Sequence, residues 1–564
     1  MRRGEWLDAL AGGSKGPLLA ALIALSATLP GALTLPPLDR DESRFAESSA
    51  QMLETRDFID IRFQDAPRYK KPAGIYWLQA IATRALSPGD DRRIWSYRIP
   101  SVLGAMAAAA ACAWGAAAFL PPRLAFAAGA ILGSSLILST EGMIAATDAA
   151  LAAAVTAAMA ALARLYLGAR GGTAAAGAGT RFLFWFALGA SILLKGPIGP
   201  MVAGLAITAL AVFDRDRGWL KRLGWGWGLI LLAFMILPWA WAITIASDGA
   251  FWTGAIGGDL APKLLSGQES HGAPPLTHAL MAPLLLFPGV ALLPAGAVVA
   301  VRARAEPAVR FALCWLLPSW LVFELAPTKL VHYTLPLYGA LAWLMARALA
   351  APIGMASRSV GAALLVLAGA AVAAAGPFAA ARLDDQGAMP AAVLAATLAI
   401  AAAGVGALAP WRRGPGGALL ASGLLAIGAH DVLAAGVAPR LTSLWLSSRA
   451  AAALAAAGYS PRLGQTGPAA VAGYAEPSLV FLLGPDTDFG TAEEAADAVA
   501  QGGGPAIVEA RQEAAFQTAL AEDDSSARLI GRIAGVDYSN GAHDILALYA
   551  PAAGAPSAAA GARP

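Results

Sequence analysis

Long apolar runs recur along most of the chain, and they constrain its fold more than any other feature. A run of about 20 apolar residues can cross the hydrocarbon core of a bilayer as a helix. Since 58% of the 564 residues are hydrophobic, we predict an α-helical polytopic membrane protein. About 13 transmembrane helices are expected, at residues 17–35, 99–120, 123–140, 144–168, 181–194, 197–213, 226–246, 276–299, 308–326, 331–349, 357–379, 389–409 and 416–437.

The basic connections between these runs predict an orientation. Arginine and lysine are enriched in cytoplasmic loops of membrane proteins. The connections at residues 169–181, 214–222, 302–310 and 412–413 are basic and all fall on the side of the amino terminus. We therefore place that side in the cytoplasm. The loops at 38–98 and 247–275 and everything after residue 440 then lie outside the cytoplasm.

A dense group of ionisable side chains at residues 38–47 follows the first apolar run. Ionised groups at a membrane edge require water or a partner, so this group is a candidate catalytic edge. We predict a short amphipathic helix here, capped by Asp39, with Asp41 and Glu42 as catalytic carboxylates in its first turn. The alternative is a solvated helix start, because acidic first turns are common.

Two further groups are expected to lie on the same face of the membrane. Lys70 and Lys71 precede Pro72, which disfavours helix at Lys71, so either lysine could meet a phosphate or simply a lipid headgroup. Asp148 opens an apolar span, and a carboxylate so close to hydrocarbon is more often functional than structural.

The loop at 247–275 contains glycine, proline and polar groups, a composition that is typical of a mobile flap over a cavity. It carries Lys263, Glu269 and His271, and a later segment carries Lys329 and His332. We interpret the last four as possible substrate contacts, although a solvated loop histidine is an equally good interpretation of His271. One site built by several loops would explain why so many charged groups map to one face.

The order of these motifs resembles the bacterial type C glycosyltransferases, most closely the lipid A aminoarabinose transferases and the relatives of the protein O-mannosyltransferases. The resemblance covers residues 30 to about 340 and is carried by the motifs Asp41-Glu42-Ser43-Arg44-Phe45-Ala46-Glu47, Tyr69-Lys70-Lys71-Pro72-Ala73-Gly74, Arg98-Ile99-Pro100-Ser101, Thr147-Asp148, Lys195-Gly196-Pro197 and Lys329-Leu330-Val331-His332-Tyr333.

The resemblance implies inverting transfer of a sugar from a polyprenyl phosphate donor at the periplasmic face of a bacterial inner membrane. It places Asp41 beside the acceptor, gives Asp148 an orienting role, and assigns Lys71, Lys263, Tyr333 and Arg44 to the donor phosphate. Aminoarabinose transferases carry a glutamate where this chain has Lys70, which weakens the case for that sugar and for a metal bound by that glutamate.

The chemistry suits these residue types. A polyprenyl phosphate leaves with its own charge, so nearby cations can stabilise its departure, and we expect no required cofactor. One carboxylate deprotonates the acceptor, and attack opposite the phosphate inverts the anomeric carbon. A glycolipid of the lipid A type is the favoured acceptor. A protein acceptor, a lipid or sugar flippase or transporter, and a non-catalytic assembly protein are the alternatives. We expect a monomer that binds no nucleic acid.

The composition changes after Arg440. Short apolar runs, among them 469–471, 479–483, 506–508, 529–533 and 545–549, alternate with helical stretches at 491–501 and 511–521. This alternation predicts a small α/β domain at residues 441–551, attached to a transmembrane domain at 1–440. The Ala/Gly/Pro-rich tail at 552–564 is expected to be disordered.

Overall fold

The computed structural model describes residues 11–89, 92–170, 176–214, 216–265, 272–383, 386–412, 415–501 and 503–552. Within these residues, nine helices are long and apolar enough to cross a membrane. They are α1 (Lys15–Thr34), α4 (Ile94–Ala116), α7 (Asp148–Gly168), α8 (Ala178–Lys195), α10 (Trp225–Ala246), α15 (Pro307–Leu325), α17 (Met355–Arg382), α18 (Met389–Leu408) and α19 (Gly416–Asp431). The spans of α18 and α19 continue as further helical turns to Trp411 and Arg440. The chain is a multi-pass membrane protein.

Four other predicted spans are broken or short. Helices α5 (Pro122–Gly133) and α6 (Leu136–Gly142) meet at 60°, and α13 (Thr277–Leu285) meets the Gly289–Arg302 segment, whose last part is α14 (Leu293–Arg302), at 113°. Counting each bent pair as one span gives up to 11 among the described residues. The two remaining predicted spans contain shorter helices, α9 (Ile198–Phe213) and α16 (Tyr338–Ala348). Every predicted span thus contains a helix, and the count of thirteen crossings stays a prediction.

The transmembrane helices pack through small residues. Helix α4 lies against α7, and a Cβ added at Gly104 would stand 2.7 Å from the backbone nitrogen of Ala150. Alanine and glycine at such contacts let two helix backbones approach closely, which is the usual basis of helix association in lipid. The buried face of α7 is the centre of the bundle, and it fixes where Asp148 lies.

The first loop contains two short helices and a small hairpin. Helix α2 (Asp41–Thr55) is followed by β1 (Arg62–Phe63), β2 (Ala66–Pro67) and α3 (Gly74–Leu86). The sequence predicts one helical face from Phe45, Ser49, Met52 and Leu53; the first three are buried and Leu53 is half-buried. The predicted cap is wrong. Arg40 occupies the N-cap position with φ 62°, and Asp39 is bound instead to a segment far along the chain, described below.

Two more helices, α11 (Ala250–Trp252) and α12 (Ala261–Leu265), flank a π-helical stretch, Thr253–Leu260. After them the structure does not describe residues 266–271. Glu269 and His271, predicted as possible substrate contacts, therefore lie outside the described residues.

The C-terminal region forms a five-stranded mixed sheet with helices. The strands are β3 (Ala470–Ala472), β4 (Asp488–Gly490), β5 (Ala506–Glu509), β6 (Ala527–Asp537) and β7 (Ala542–Pro551), in the order β4-β3-β5-β7-β6. Strand β3 is parallel to β4 and β5, while β7 is antiparallel to β5 and β6. Its helices are α20 (Leu446–Ala456), α21 (Pro477–Leu483), α22 (Ala492–Gln501) and α23 (Glu513–Glu522).

This α/β architecture was predicted, with one error. The apolar run at 479–483 is helix α21 rather than a strand, because Pro477 starts a helix and one turn of buried apolar residues cannot be told from a strand by periodicity. The third parallel strand is β4, whose polar sequence gave no strand signal. Residues 553–564, the predicted disordered tail, lie outside the described residues.

Candidate active site

Arg98 on α4 fixes the start of α2. Its guanidinium is fully buried and donates to both Glu42 oxygens, at 2.8 and 2.7 Å, and to the carbonyls of Leu35 and Pro36. Glu42 also accepts from the backbone N–H groups of Leu38 and Ala145. A buried carboxylate with a bidentate arginine and two amide donors is fully satisfied. This geometry departs from the predicted catalytic role of Glu42, because its oxygens hold the loop in place.

Asp41, which directly precedes Glu42, has a different environment. Its side chain is 73% exposed, and the nearest cation is Arg68, whose Nη2 lies 3.9 Å from Asp41 Oδ1. Arg68 is itself buried, with its guanidinium over the Phe45 ring and its Nε donating to the Tyr76 hydroxyl. Asp41 is thus a carboxylate open to an incoming molecule on a rigid support.

Asp259 joins two predicted phosphate-binding lysines. Lys71 Nζ donates to Asp259 Oδ2 at 2.6 Å, and Lys263 Nζ donates to Asp259 Oδ1 at 2.7 Å. Burial lowers the pKa of Lys71 to about 8; the Asp259 carboxylate opposes that shift, and the charges of Lys263 and Lys195 add to it. Lys71 is therefore close enough to both Lys263 and Lys195 to be repelled by them, and an anion beside it would be favoured.

A second cluster adjoins the first. Asp148, the first residue of α7 as predicted, accepts from Lys195 Nζ at 2.6 Å. His332 Nε2 lies 3.8 Å from Asp148 Oδ1, and His332 Nδ1 lies 3.4 Å from Glu141 Oε1. The Lys195 ammonium also faces the Tyr333 ring, 5.4 Å from its centroid. Helices α6, α7 and α8 thus each contribute a charged group to one polar end of the bundle.

Both clusters line one cavity of about 110 Å³. Its polar wall carries Lys71, Lys195, Lys263, Asp148, Asp259 and Tyr333. Its other wall is apolar and includes Leu151, Ile198 and Met201 from α7 and α9, with Val322 and Phe323 from α15. The cavity therefore combines three lysines with an apolar wall, a lining that suits a phosphate attached to an apolar group.

Tyr76 is near both Asp41 and Asp259. Burial raises the pKa of Tyr76, and the charges of Asp41 and Asp259 raise it further, whereas Arg68 lowers it. Asp41 itself does not line the cavity, and its side chain is exposed beside Arg68.

The other predicted contacts are placed less centrally. Lys329 is buried, and its ammonium donates to the carbonyls of Ala273 and Ala326, so it fastens the end of the 247–275 loop rather than facing the cavity. Thr328 pairs with Gly272 in the same clasp. Lys70 is exposed, and Arg44 is half-buried on α2; neither lines the cavity. These positions depart from the predicted substrate contact for Lys329.

Three groups of these two clusters were not among the predicted site residues, and two of them, Lys195 and Asp259, line the cavity. Lys195 stood in a recognised but weak motif, Asp259 in the flap, and Glu141 in an apolar span. The signal for Lys195 and Glu141 was an ionisable group within an apolar run, which is costly without a partner. Among the described residues, no three His, Cys, Asp or Glu side chains converge where they could hold a metal ion.

Comparison with known proteins adds to this geometry. A family model described as dolichyl-phosphate-mannose-protein mannosyltransferase matches residues 38–253. An undecaprenyl phosphate-alpha-4-amino-4-deoxy-L-arabinose arabinosyl transferase of Edwardsiella ictaluri is 29% identical over 324 residues, 56% of each chain. Its counterpart in Aeromonas hydrophila is 28% identical over 321 residues, 55% of this chain and 57% of the relative. The matched region thus spans little more than half the length of these relatives.

Solved structures cover more of the chain. The crystal structure of ArnT from Cupriavidus metallidurans bound to undecaprenyl phosphate aligns with a TM-score of 0.73 over 97% of this chain and 98% of that one, at 17% identity. The chain has the type C glycosyltransferase fold. The apo structure of the same ArnT aligns with a TM-score of 0.71. The resemblance predicted from the motifs is confirmed, and the type C fold extends through the C-terminal α/β domain, which the motifs do not reach.

Proposed function

We propose that the chain is an inverting glycosyltransferase that moves a sugar from a polyprenyl phosphate donor to an acceptor of the cell envelope. The observation that carries the proposal is the cavity that three lysines share with an apolar wall. A donor of this class has a long apolar tail, a phosphodiester and a sugar. The apolar wall suits the start of the tail and the lysines suit the phosphate, and we place the sugar toward the loop that carries Asp41.

The lysines supply the electrostatic part of catalysis. When the anomeric carbon–phosphate oxygen bond breaks, negative charge grows on the phosphate, and ammonium groups already in place stabilise it without reorganisation. Lys71 and Lys263 are held by Asp259, and Lys195 by Asp148. The three lysines are therefore already oriented by carboxylates before a phosphate enters the cavity.

Asp41 serves as the general base. Its exposed carboxylate takes the proton of the acceptor hydroxyl as the oxygen forms the new bond to the anomeric carbon. The bonding electrons of the old linkage leave with the phosphate, so the products are an inverted glycoside and polyprenyl phosphate. Asp148 orients Lys195 and is not required as a nucleophile.

A glycolipid of the lipid A type is the acceptor that we favour, because the curated relatives are aminoarabinose transferases and their solved counterpart ArnT has the same fold. A protein acceptor is the second candidate, and the description of the matching family model supports it. Both acceptors present a hydroxyl outside the cytoplasm, so the Asp41 side of the cavity suits either one.

The proposed orientation puts Asp41 and the C-terminal domain in the periplasm of a bacterial inner membrane. The basic connections support it, and so does the odd number of predicted crossings. We expect a phosphatase reporter fused after Arg440 to be active and a reporter that requires the cytoplasm to be silent. The opposite result would require an even number of crossings and would remove one predicted span.

The function is tested by mass spectrometry of a deletion strain. Lipid A lacking one sugar, with accumulation of a polyprenyl phosphate-linked form of that sugar, is the expected result. Loss of glycan from secreted proteins with unchanged lipid A would select the protein acceptor. Unchanged lipid A, glycoproteins and polyprenyl phosphate sugars would contradict the transferase proposal.

A further inference from the structure

The C-terminal domain contacts the two residues that precede Asp41. The backbone N–H of Asp39 donates to the Tyr538 hydroxyl at 2.6 Å, and Arg40 Nη2 donates to the carbonyl of Ser539 at 2.9 Å. Tyr538 and Ser539 lie in the turn that joins β6 and β7. The turn of a distant domain thus binds the chain directly before the proposed base.

These contacts hold an unfavourable backbone conformation. Arg40 adopts φ 62° and ψ −113°, a combination that L-residues rarely occupy. Such a conformation is strained and persists only where the surroundings enforce it. Arg40 also makes no side-chain cap for α2. The first turn of α2, which begins at Asp41, is therefore held from two sides: Arg98 binds it through Glu42, and the C-terminal domain binds the residues before it, Asp39 and Arg40.

The hydrogen bonds to Asp39 continue into the interior of the C-terminal domain. Ser478 on α21 donates to the Asp39 carboxylate, and Ser478 Oγ lies 2.6 Å from the hydroxyl of Ser447 on α20. Ser447 in turn lies 3.1 Å from the Tyr474 hydroxyl. All three of these residues are buried. Asp39 is thus connected by a chain of hydroxyls to the interior of the C-terminal domain.

A second group of contacts lies toward the other end of α2. Arg92 bridges Glu47 and Glu54 of α2 and donates to the carbonyl of Phe481 at 2.9 Å. The Phe481 ring packs edge-on against Tyr97. The domain is therefore joined to the protein near both ends of α2: at Asp39 and Arg40 before it, and through Arg92, which binds Glu47 and Glu54.

We propose that the β6–β7 turn is a positioning element of the transferase site and that Tyr538 is a positioning residue for Asp41. The proposal rests on the proposed function. It gives the C-terminal domain a specific role: the domain fixes the turn from which α2 starts, and so fixes the direction of the Asp41 carboxylate relative to the cavity. Tyr538 touches neither donor nor acceptor and acts through Asp39 and Arg40.

The test uses the full-length protein with Tyr538→Phe, which removes one oxygen and keeps the ring against Trp445. We expect kcat to fall on the order of tenfold while KM for the donor stays unchanged, because misplacing a base slows chemistry without altering the lysine cavity. Tyr459→Phe is the matched control, since Tyr459 lies in the same domain and its hydroxyl binds only Arg528 among the described residues. It should retain full activity.

Hydrogen exchange separates this proposal from the proposed function. Amides of residues 38–44 should exchange faster in Tyr538→Phe and in Ser478→Ala, but not in Tyr459→Phe, whether or not sugar is transferred. Unchanged exchange in both junction variants would overturn the positioning role. Faster exchange with an unchanged kcat would overturn the link to catalysis. If the parent protein transfers no sugar, the proposed function is overturned. Faster exchange in the two variants would then still support the role of the turn in holding residues 38–44.

Discussion

At the scale of single residues, Asp41 and Glu42 show how two adjacent carboxylates acquire different chemistry. Glu42 points inward to a buried arginine, and Asp41 points outward with most of its side chain exposed. Neighbours on a helix project about 100° apart. A carboxylate that is free to accept a proton and one that is fully bonded therefore follow from a single turn of α2.

Replacing Asp41 tests the general base. Asp41→Asn keeps the size and removes most of the basicity, so we expect kcat to fall by about 10²–10⁴-fold with donor binding retained. Turnover and donor affinity are measured on purified protein. Asp65→Asn is the control, because Asp65 is an exposed carboxylate of the same loop. Near-normal turnover in Asp41→Asn would show that Asp41 is not the general base, and Asp148 would be the next candidate.

The lowered pKa of Lys71 predicts that donor binding depends on pH. Its pKa of about 8 is below the ordinary lysine value, so the ammonium is lost as pH rises through this range, and donor KM should increase up to about tenfold per pH unit above pH 8. Lys71→Arg keeps the charge at all these pH values and should flatten the profile.

Lys71→Met should raise donor KM even at pH 7, while Lys221→Met, a change to an exposed lysine far along the chain, should not. A donor KM that is independent of pH in the parent and unaffected by Lys71→Met would exclude Lys71 from the phosphate site.

The residue types of the cavity could be predicted from sequence, but their partners could not. Lys71, Asp148, Lys263 and Tyr333 were predicted site residues, and the structure places all four on one cavity. The ion pairs Lys71–Asp259 and Arg98–Glu42 join residues 188 and 56 positions apart. Local patterns do not encode such pairings, so the anchoring roles of Glu42 and Lys329 appeared only in three dimensions.

At the scale of elements, Arg98 joins three helices. It lies on α4, binds carbonyls at the end of α1, and pairs with Glu42 at the start of α2. The elements themselves were well predicted, because apolar length identifies membrane helices with little ambiguity. Their junctions were not, since the Asp39–Arg40 turn depends on a domain that lies almost 500 residues away and no local propensity favours it.

Removing Arg98 should therefore destabilise the fold. Arg98→Met leaves the Glu42 carboxylate buried without its cation, and breaking a buried pair in this way costs about 3–5 kcal/mol. We expect a clearly lower Tm in detergent for Arg98→Met and almost no change for Arg84→Met, at an exposed arginine of α3. The double variant Arg98→Met/Glu42→Gln should lose less than the sum of the single changes. Strict additivity would mean that the two groups do not act as a pair.

At the scale of the whole molecule, the junction between the C-terminal domain and the first loop contains two carboxyls with raised pKa values. Burial raises the pKa of Asp39 to about 6, against hydrogen bonds from Ser478 and Tyr538. Burial and the Asp39 charge raise the pKa of Glu476 to about 7. Other titratable groups that face this pair are Arg40, Tyr474, Asp537 and Tyr538.

The sign of the resulting pH dependence follows from linkage. A carboxyl whose pKa is raised in the docked state binds its proton more tightly there, so docking is strongest at low pH and weakens as pH rises toward 7. Opening of the junction should increase by up to about tenfold per pH unit through Asp39 between pH 3.8 and about 6, and through Glu476 between pH 4.5 and about 7. Hydrogen exchange of residues 38–44, corrected for its intrinsic pH dependence, measures this opening.

Glu476→Gln should flatten the upper part of that profile, whereas Glu522→Gln, an exposed glutamate of α23, should leave it unchanged. Protection that rises with pH in the parent protein would contradict the burial of both carboxyls at the junction.

The Asp259 carboxylate between Lys71 and Lys263 has a consequence for how a catalytic cycle ends. The donor carries a phosphodiester with one negative charge, while the spent carrier is a phosphomonoester with up to two, so three bare lysines would retain the product more tightly than the substrate. Asp259 already satisfies two of those lysines. Each anion must therefore displace a neighbouring carboxylate, and that same carboxylate competes for the lysines when the carrier departs. Under the proposed function, this pairing would lower the affinity for the spent carrier and so favour its release to the bilayer.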